Sequence, residues 1–273
     1  VLDARRAAVL GLLQGPTELL PVSSSAHTIL IPLLAGWPYE RLDPALRKSF
    51  EVSLHAGSAL ALTLRARRRL SAALAGARPR DACALALACA PAAVAGLLFA
   101  RPVEQRLSRP RSVALALAAG GLGLALCDRR PATRGLGDAG MLDALAVGGA
   151  QAVALVPGVS RSGAALAAAR ARRFSPGAAH ALAWRSALPL MLGATLFSAW
   201  RAFRDPPPAA AAPMLLGGAG GAFCSALACS RLCRTPARAP ALGLIALYRL
   251  ALAALVLVRL RRGATMRVEH PSQ

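Results

Sequence analysis

Aromatic side chains make up only 4% of this chain, too few to build the stacking platform on which single-stranded nucleic acids are held. Paired CxxC spacing is absent as well. The six cysteines, Cys83, Cys89, Cys127, Cys224, Cys229 and Cys233, stand singly in or beside apolar runs. That argues against a thiolate metal site or a disulfide framework, and for small buried apolar residues. The opening VLDARRAAVLGLLQG lacks a small-residue cleavage pattern and reads as a first structural helix, not a removable signal.

What the chain has in abundance is apolar surface. Of its 273 residues 56% are hydrophobic, and its mean hydropathy is +0.49, above the norm for soluble domains. Uncharged runs recur at Ala82 to Ala100, Ser112 to Cys127, Ala144 to Ser160, Ser186 to Trp200 and Pro206 to Ser230. Several approach the ~20 residues that cross a bilayer core. An all-α integral membrane protein is expected. The net charge of +21 would suit a nucleic-acid binder, but its arginines sit in short clusters between apolar runs, such as Arg65 to Arg69 or Arg170 to Arg173. There they meet anionic lipid headgroups, and no nucleic-acid partner is expected.

Two apolar runs are broken. A helix from Ala7 to Gln14 meets Gly15, Pro16 and Pro21, and a second resumes from about Ser24 to Leu34. A second run, Leu142 to Val156, meets PGVSRSG and resumes as an Ala-rich helix to Arg170. Each pair predicts a re-entrant hairpin, because irregular backbone at membrane depth needs protein or water around it. Trp37 and Tyr39 suit an interfacial belt. Six crossings follow the hairpins, three in each half: about Phe50 to Leu64, Ala82 to Ala100, Ser112 to Cys127, Gly177 to Trp200, Pro213 to Ser230 and Pro240 to Val258.

Aligning LPVSSSA with VPGVSRSGA puts Ser23 on Ser160, Ser24 on Arg161 and Ser25 on Ser162, at an offset of 137 residues. An odd number of crossings per half makes the second copy enter from the opposite face. Residues 1–130 and 131–273 are therefore expected to be two inverted-topology repeats within a single membrane domain. Such proteins place their sites at the midplane, where broken helices meet.

The breaks carry the chemistry. Gln14 and Glu18, four apart on one helical face, offer oxygens to a hard divalent cation, or Glu18 alone serves as a base. An ionised group within so apolar a run is expensive unless used. Ser23, Ser24 and Ser25 supply a helix cap and a candidate nucleophile, with His27 three residues from Ser24 as a base. Arg161, between Ser160 and Ser162, has a planar fork suited to phosphate oxygens or to a pair with Glu18. Gly158 lets the backbone approach closely. A nucleophile, a base, a metal ligand and a phosphate clamp inside a membrane are the equipment for phosphoryl transfer on a lipid phosphate.

QGPTE, LLPVSSSAH and PGVSRSGA resemble the two signature regions of the bacterial undecaprenyl-diphosphate phosphatase family of the bacitracin-resistance type. The similarity continues through KSFEVSLHAGSALAL, SALPLMLGATL and PALGLIALYRLALAAL, so it covers most of the chain. The resemblance implies a multi-pass enzyme of the bacterial cytoplasmic membrane. It would convert undecaprenyl diphosphate to undecaprenyl phosphate and inorganic phosphate, with a divalent cation, Mg or Ca, as cofactor. Carried over by position, its (E/Q)xxxE pair falls on Gln14 and Glu18, expected to hold the cation. Its candidate nucleophilic serine falls on Ser24, its histidine on His27, and its PGxSRS serine and arginine on Ser160 and Arg161. Glu18, Ser24, His27 and Arg161 are thus the expected catalytic residues, and beside Ser160 the neighbouring Ser23, Ser25, Gly158 and Ser162 are expected to bind substrate. Membrane lipids are further partners; homodimer formation is left open, as are the attacking residue and the membrane orientation. This chain departs from the family pattern at Gln14, where many members have glutamate, at Ala165, where a threonine is usual, and near Ala181, where an acidic residue is expected.

Two competing classes are weighed. The histidine-nucleophile lipid phosphatases need a KxxxxxxRP element, and the single lysine, Lys48, has none. A transporter or lipid-carrier flippase shares the inverted-repeat pattern and is separated from an enzyme by release of phosphate.

Overall fold

The computed structural model describes residues 2–76, 78–204, 206–230 and 241–269, and these form helices joined by short connections. Helix α1 (Ala4–Leu19) starts at Asp3, whose carboxylate accepts the Arg6 N–H at 2.8 Å. The expectation that Gly15 and Pro16 end this helix is not met. The hydroxyl of Ser225 reaches into its ladder, accepting the Gly15 N–H at 3.1 Å and donating to the Gly11 carbonyl at 3.1 Å. A borrowed hydroxyl thus bridges the bond that the turn before proline would lose. The break comes at Leu20 to Ser23, before α2 (Ser24–Leu34).

Three helices follow, α3 (Pro44–Ala75), α4 (Pro79–Leu107) and α5 (Pro110–Asp128). The second broken pair is α6 (Met141–Val153) and α7 (Arg161–Ala171); then come α8 (Pro176–Arg204), α9 (Ala212–Cys229) and α10 (Leu242–Glu269). Proline stands in the first turn of α4, α5 and α9, where its missing N–H has no intrahelical partner to lose. The expected crossings fall within α3, α4, α5, α8, α9 and α10, although Pro240 lies outside the described residues. Among the described residues four helical segments are long and apolar enough to cross a membrane: Pro79–Leu107, Pro110–Asp128, Ala209–Cys229 and Leu242–Arg262. Helices α3 and α8 are 32 and 29 residues long, but each carries polar groups within its length, among them Lys48, Glu51 and His55 on α3 and His180 and Arg185 on α8. The bundle is apolar outside, with Leu97, Leu98 and Phe99 of α4 and Leu244 and Leu247 of α10 exposed, as lipid contact requires.

Each hairpin packs on a helix from the other half of the chain. A Cβ on Gly11 would lie 2.3 Å from the Gly218 carbonyl, so α1 and α9 meet backbone to backbone. A Cβ on Gly148 would lie 2.5 Å from the Leu87 carbonyl, which gives α6 and α4 the same contact. Helix α5 packs on α10. At the outer end of the second hairpin, Arg134 clasps Asp143 with both nitrogens at 2.8 and 2.9 Å, Arg172 pairs with the same carboxylate, and Arg170 holds Asp128 at 3.0 Å.

Two sequence expectations are corrected by this packing. Tyr39 faces protein rather than lipid headgroups, buried edge-on to Phe50 with its hydroxyl 3.4 Å from Glu51. Cys83 and Cys224 lie on the outer surface, where small apolar side chains are tolerated by lipid; Cys233 lies outside the described residues.

Candidate active site

The two breaks are built alike. Ser23 and Ser160 both cap the helix that follows, and both take a left-handed backbone, with φ of 74° and 73°. Each hydroxyl accepts the N–H three residues on, from Ala26 at 3.4 Å and from Gly163 at 3.2 Å. Each also pairs with the serine two residues beyond it, Ser25 at 3.2 Å and Ser162 at 3.3 Å. A non-glycine residue in this region costs about 1–2 kcal/mol, so the surroundings must impose it. The breaks also touch each other: the Gly158 N–H donates to Ser25 at 3.4 Å, and Ser162 donates to the Leu20 carbonyl at 3.4 Å.

Arg249 of α10 secures both. It is fully buried, and its guanidinium donates to the carbonyls of Pro21 at 3.1 Å, Gly158 at 3.0 Å, Val159 at 2.8 Å and Leu117 at 3.2 Å. The broken helices leave the Pro21, Gly158 and Val159 carbonyls without helical donors, and one planar fork satisfies them while also reaching the Leu117 carbonyl of α5. Sequence reasoning missed this residue, although a lone arginine in the apolar run from Leu242 to Val258 is the kind of signal that marks use.

Between the breaks, Glu18 of α1 collects the polar side chains. Its Oε1 lies 2.5 Å from Arg161, and its Oε2 accepts the Ser24 hydroxyl at 2.8 Å and the Gln14 amide at 3.2 Å. Arg161 also donates to the Ala187 carbonyl of α8 at 2.6 Å. The carboxylate is 7% exposed and the guanidinium 21%, so the pair is shielded from bulk water. His55 of α3, not anticipated from sequence, completes the group with Nδ1 3.5 Å from Glu18 and 3.2 Å from the Gln14 amide. Its signal is the spacing of Lys48, Glu51 and His55, which share one face of α3 where it enters the apolar run to Leu64.

The expectation that His27 serves Ser24 as a base is not met. Its Nδ1 lies 2.7 Å from the Ser23 carbonyl and its Nε2 2.6 Å from the Tyr248 hydroxyl, with both rings stacked. One turn of helix separates His27 from Ser24, but the ring turns toward α10 and is absent from the lining of either cavity beside Glu18. Gly158 is likewise used elsewhere: with φ at 106°, its missing Cβ makes room for the Val113 carbonyl of α5, 2.4 Å from where that atom would stand.

A cavity of about 360 Å³ opens on Glu18, Ser24, His55, Ser160 and Arg161, bounded by α3 from Lys48 to His55 and by α8 from Leu190 to Ser198. Ser23, Ser25 and Ser162 also border it. A second cavity, about 240 Å³, reaches Glu18, Arg161 and Ser162 from the other direction, past Leu62 of α3 and Pro176 to Leu188 of α8. The ion pair stands where the two meet.

Helices exposing apolar side chains to lipid around a hydroxyl, a carboxylate and a guanidinium at facing helix breaks define an integral membrane protein with a polar internal site. The model of the bacitracin resistance protein BacA family matches residues 7–255, and the chain belongs to that family. It is 37% identical over 206 residues to the undecaprenyl-diphosphatase of Geobacter sulfurreducens, covering 71% of this chain and 74% of that protein. It is 36% identical over 211 residues to the undecaprenyl-diphosphatase of Geobacter metallireducens, with 72% and 76% covered. Against that of Pelobacter propionicus the identity is 36% over 205 residues, with 70% and 73% covered.

Proposed function

We propose that this chain hydrolyses undecaprenyl diphosphate to undecaprenyl phosphate and inorganic phosphate in the bacterial cytoplasmic membrane, recycling the lipid carrier of cell-wall synthesis. The observation that carries the mechanism is the Ser24 hydroxyl donating to Glu18 while Arg161 grips the same carboxylate. Glu18 takes the Ser24 proton as Oγ attacks the terminal phosphorus. The bond to the bridging oxygen breaks, and Arg161 bears the charge gathering on the phosphoryl oxygens. The proton on Glu18 passes to the departing undecaprenyl phosphate. The freed carboxylate then takes a proton from the water that attacks phosphorus, and returns it to the Ser24 Oγ as the Oγ–phosphorus bond breaks and phosphate is released.

Ser24 is the attacking residue in this reading, because His27 is occupied by Ser23 and Tyr248. Ser23 and Ser160 hold the breaks in shape, while Ser25 and Ser162 staple one break to the other. A divalent cation fits the donor set: Glu18 lines the cavity with the Gln14 amide hydrogen-bonded to it from behind, and the two would hold it. When bound, it neutralises charge on the diphosphate oxygens.

The fold reading is six crossings and two re-entrant hairpins in inverted repeats, residues 1–130 and 131–273. What supports it is a common offset of 137 residues: it relates Gly11 to Gly148, Gln14 to Gln151, Ser23 to Ser160 and Ser25 to Ser162. The glycine pair shares its close packing on a helix of the other half, and the serine pairs share their capping geometry. A second reading, a carrier that moves its lipid across the membrane, is favoured by the two cavities that reach one ion pair from opposite directions. Purified protein given undecaprenyl diphosphate separates the two. Inorganic phosphate is expected; binding without release would sink the phosphatase reading.

A further inference from the structure

Three donor positions converge beside the cavity: the Glu18 Oε2 and the His55 Nδ1 on its wall, and the amide end of Gln14 buried directly behind them. Their separations are 3.2 Å (Gln14 to Glu18), 3.2 Å (Gln14 to His55) and 3.5 Å (His55 to Glu18). Donors about 2.1 Å from a metal ion stand about 3.0 Å apart in octahedral and about 3.4 Å apart in tetrahedral coordination. The triangle therefore has the dimensions of one face of a coordination sphere. Gln14 is 2% exposed, so its amide cannot swing away. A half-turn about its last torsion exchanges the amide nitrogen for the oxygen at that corner. His55 is 40% exposed, on the cavity side, which leaves the outer face of the triangle open to a ligand.

We propose that His55 completes a cation site with Gln14 and Glu18, selective for a nitrogen-accepting divalent ion such as Mn²⁺, which fills together with a diphosphate. Among the described residues no three His, Cys, Asp or Glu side chains converge, so the Gln14 amide is needed as the third ligand. One imidazole among two oxygens moves preference from Ca²⁺ toward Mn²⁺ and its neighbours. Charge sets the coupling. Glu18 is already matched by Arg161, so a dication entering alone meets a site with no net negative charge. A diphosphate brings that charge and gives the guanidinium fork a new partner, so anion and cation each favour the other's binding. The diphosphate partner rests on the phosphatase reading; the three ligands do not.

The test is pulsed electron paramagnetic resonance on the purified full chain with Mn²⁺, with and without inorganic pyrophosphate. Wild type with pyrophosphate is expected to show nitrogen modulation from one bound imidazole, and at the same free Mn²⁺ the signal without pyrophosphate should be at least about tenfold weaker. His55→Gln should lose the modulation while keeping its melting temperature, and Gln14→Glu should raise Mn²⁺ binding without pyrophosphate. Bound Mn²⁺ without nitrogen modulation, or modulation that survives in His55→Gln, would overturn the site; equal signals with and without pyrophosphate would overturn the coupling. Phosphate release from undecaprenyl diphosphate, measured on the same sample, keeps the two ideas apart. Release with histidine-free Mn²⁺ sinks the site and leaves the phosphatase; histidine-bound Mn²⁺ without release does the reverse.

Discussion

The imidazole of His27 lies against the ring of Tyr248, 12° from parallel, with 2.6 Å between Nε2 and the hydroxyl. Donation from Nδ1–H to the Ser23 carbonyl leaves Nε2 as the acceptor of the tyrosine proton. The histidine thus ties the first break to α10. Tyr248→Phe and His27→Gln should each lower stability by about 1 kcal/mol, the usual net worth of such a bond. The double variant should cost clearly less than the sum. Turnover at saturating substrate should fall less than about tenfold in both, since neither side chain reaches the cavity. Thermal melts in detergent and phosphate release check this.

Glu18 and Arg161 make the opposite prediction. Glu18→Gln or Arg161→Gln leaves one charge buried without its partner, which costs about 3–5 kcal/mol, and each should abolish phosphate release. Combining the two should restore much of the melting temperature and none of the activity. A double variant that regains turnover would reduce the pair to a structural role.

Arg249→Lys keeps the charge and loses the fork. An ammonium cannot serve the Pro21, Gly158, Val159 and Leu117 carbonyls together, so both breaks loosen. A lower melting temperature and at least about a tenfold loss of kcat are expected. Unchanged kinetics would mean that the breaks hold their shape without it.

Acid should attack the far end of the second hairpin. Burial opposes the charge on Asp143, but hydrogen bonds from Arg134, Arg172 and the Gly140 N–H outweigh it and hold the carboxyl at about 2. In the unfolded chain the group titrates near the ordinary ~3.9. Its contribution is therefore complete above about pH 4 and is lost as pH falls toward 2. Asp143→Asn should melt lower at pH 7 and show a flatter decline between pH 5 and 2, read by thermal denaturation across that range.

Much of the site was legible because its parts are local. Pro21 and the Pro157–Gly158 pair announce the breaks, Ser23 and Ser160 announce the caps, and Gln14 and Glu18 share a face by helical spacing alone. The meeting of Glu18 with Arg161 followed from setting one copy of the motif against the other. What stayed hidden depends on contacts distant in sequence. His55 faces the site only because α3 packs against α9 and α8, and Arg249 matters only once both breaks lie beside α10. His27 shows the limit of spacing arguments: three residues from Ser24 places it one turn away, but Tyr248 decides where its ring points. Helix α1 passes Gly15 and Pro16 because of a hydroxyl 210 residues further on.

That last contact bears on how the protein is made. The glycine face of α1 leaves the ribosome long before Gly218 and Ser225 exist to receive it, and at about 5–20 residues per second the interval is on the order of 10 to 40 s. Over that time the first hairpin must wait in or beside the membrane with the Gly11 and Gly15 face of α1 uncovered. The second hairpin has no such delay, because α4 is already synthesised when Gly148 appears. Assembly therefore has a direction: the second hairpin can dock on the earlier half at once, whereas the first waits for α9, and its break is secured only when Arg249 of α10 follows.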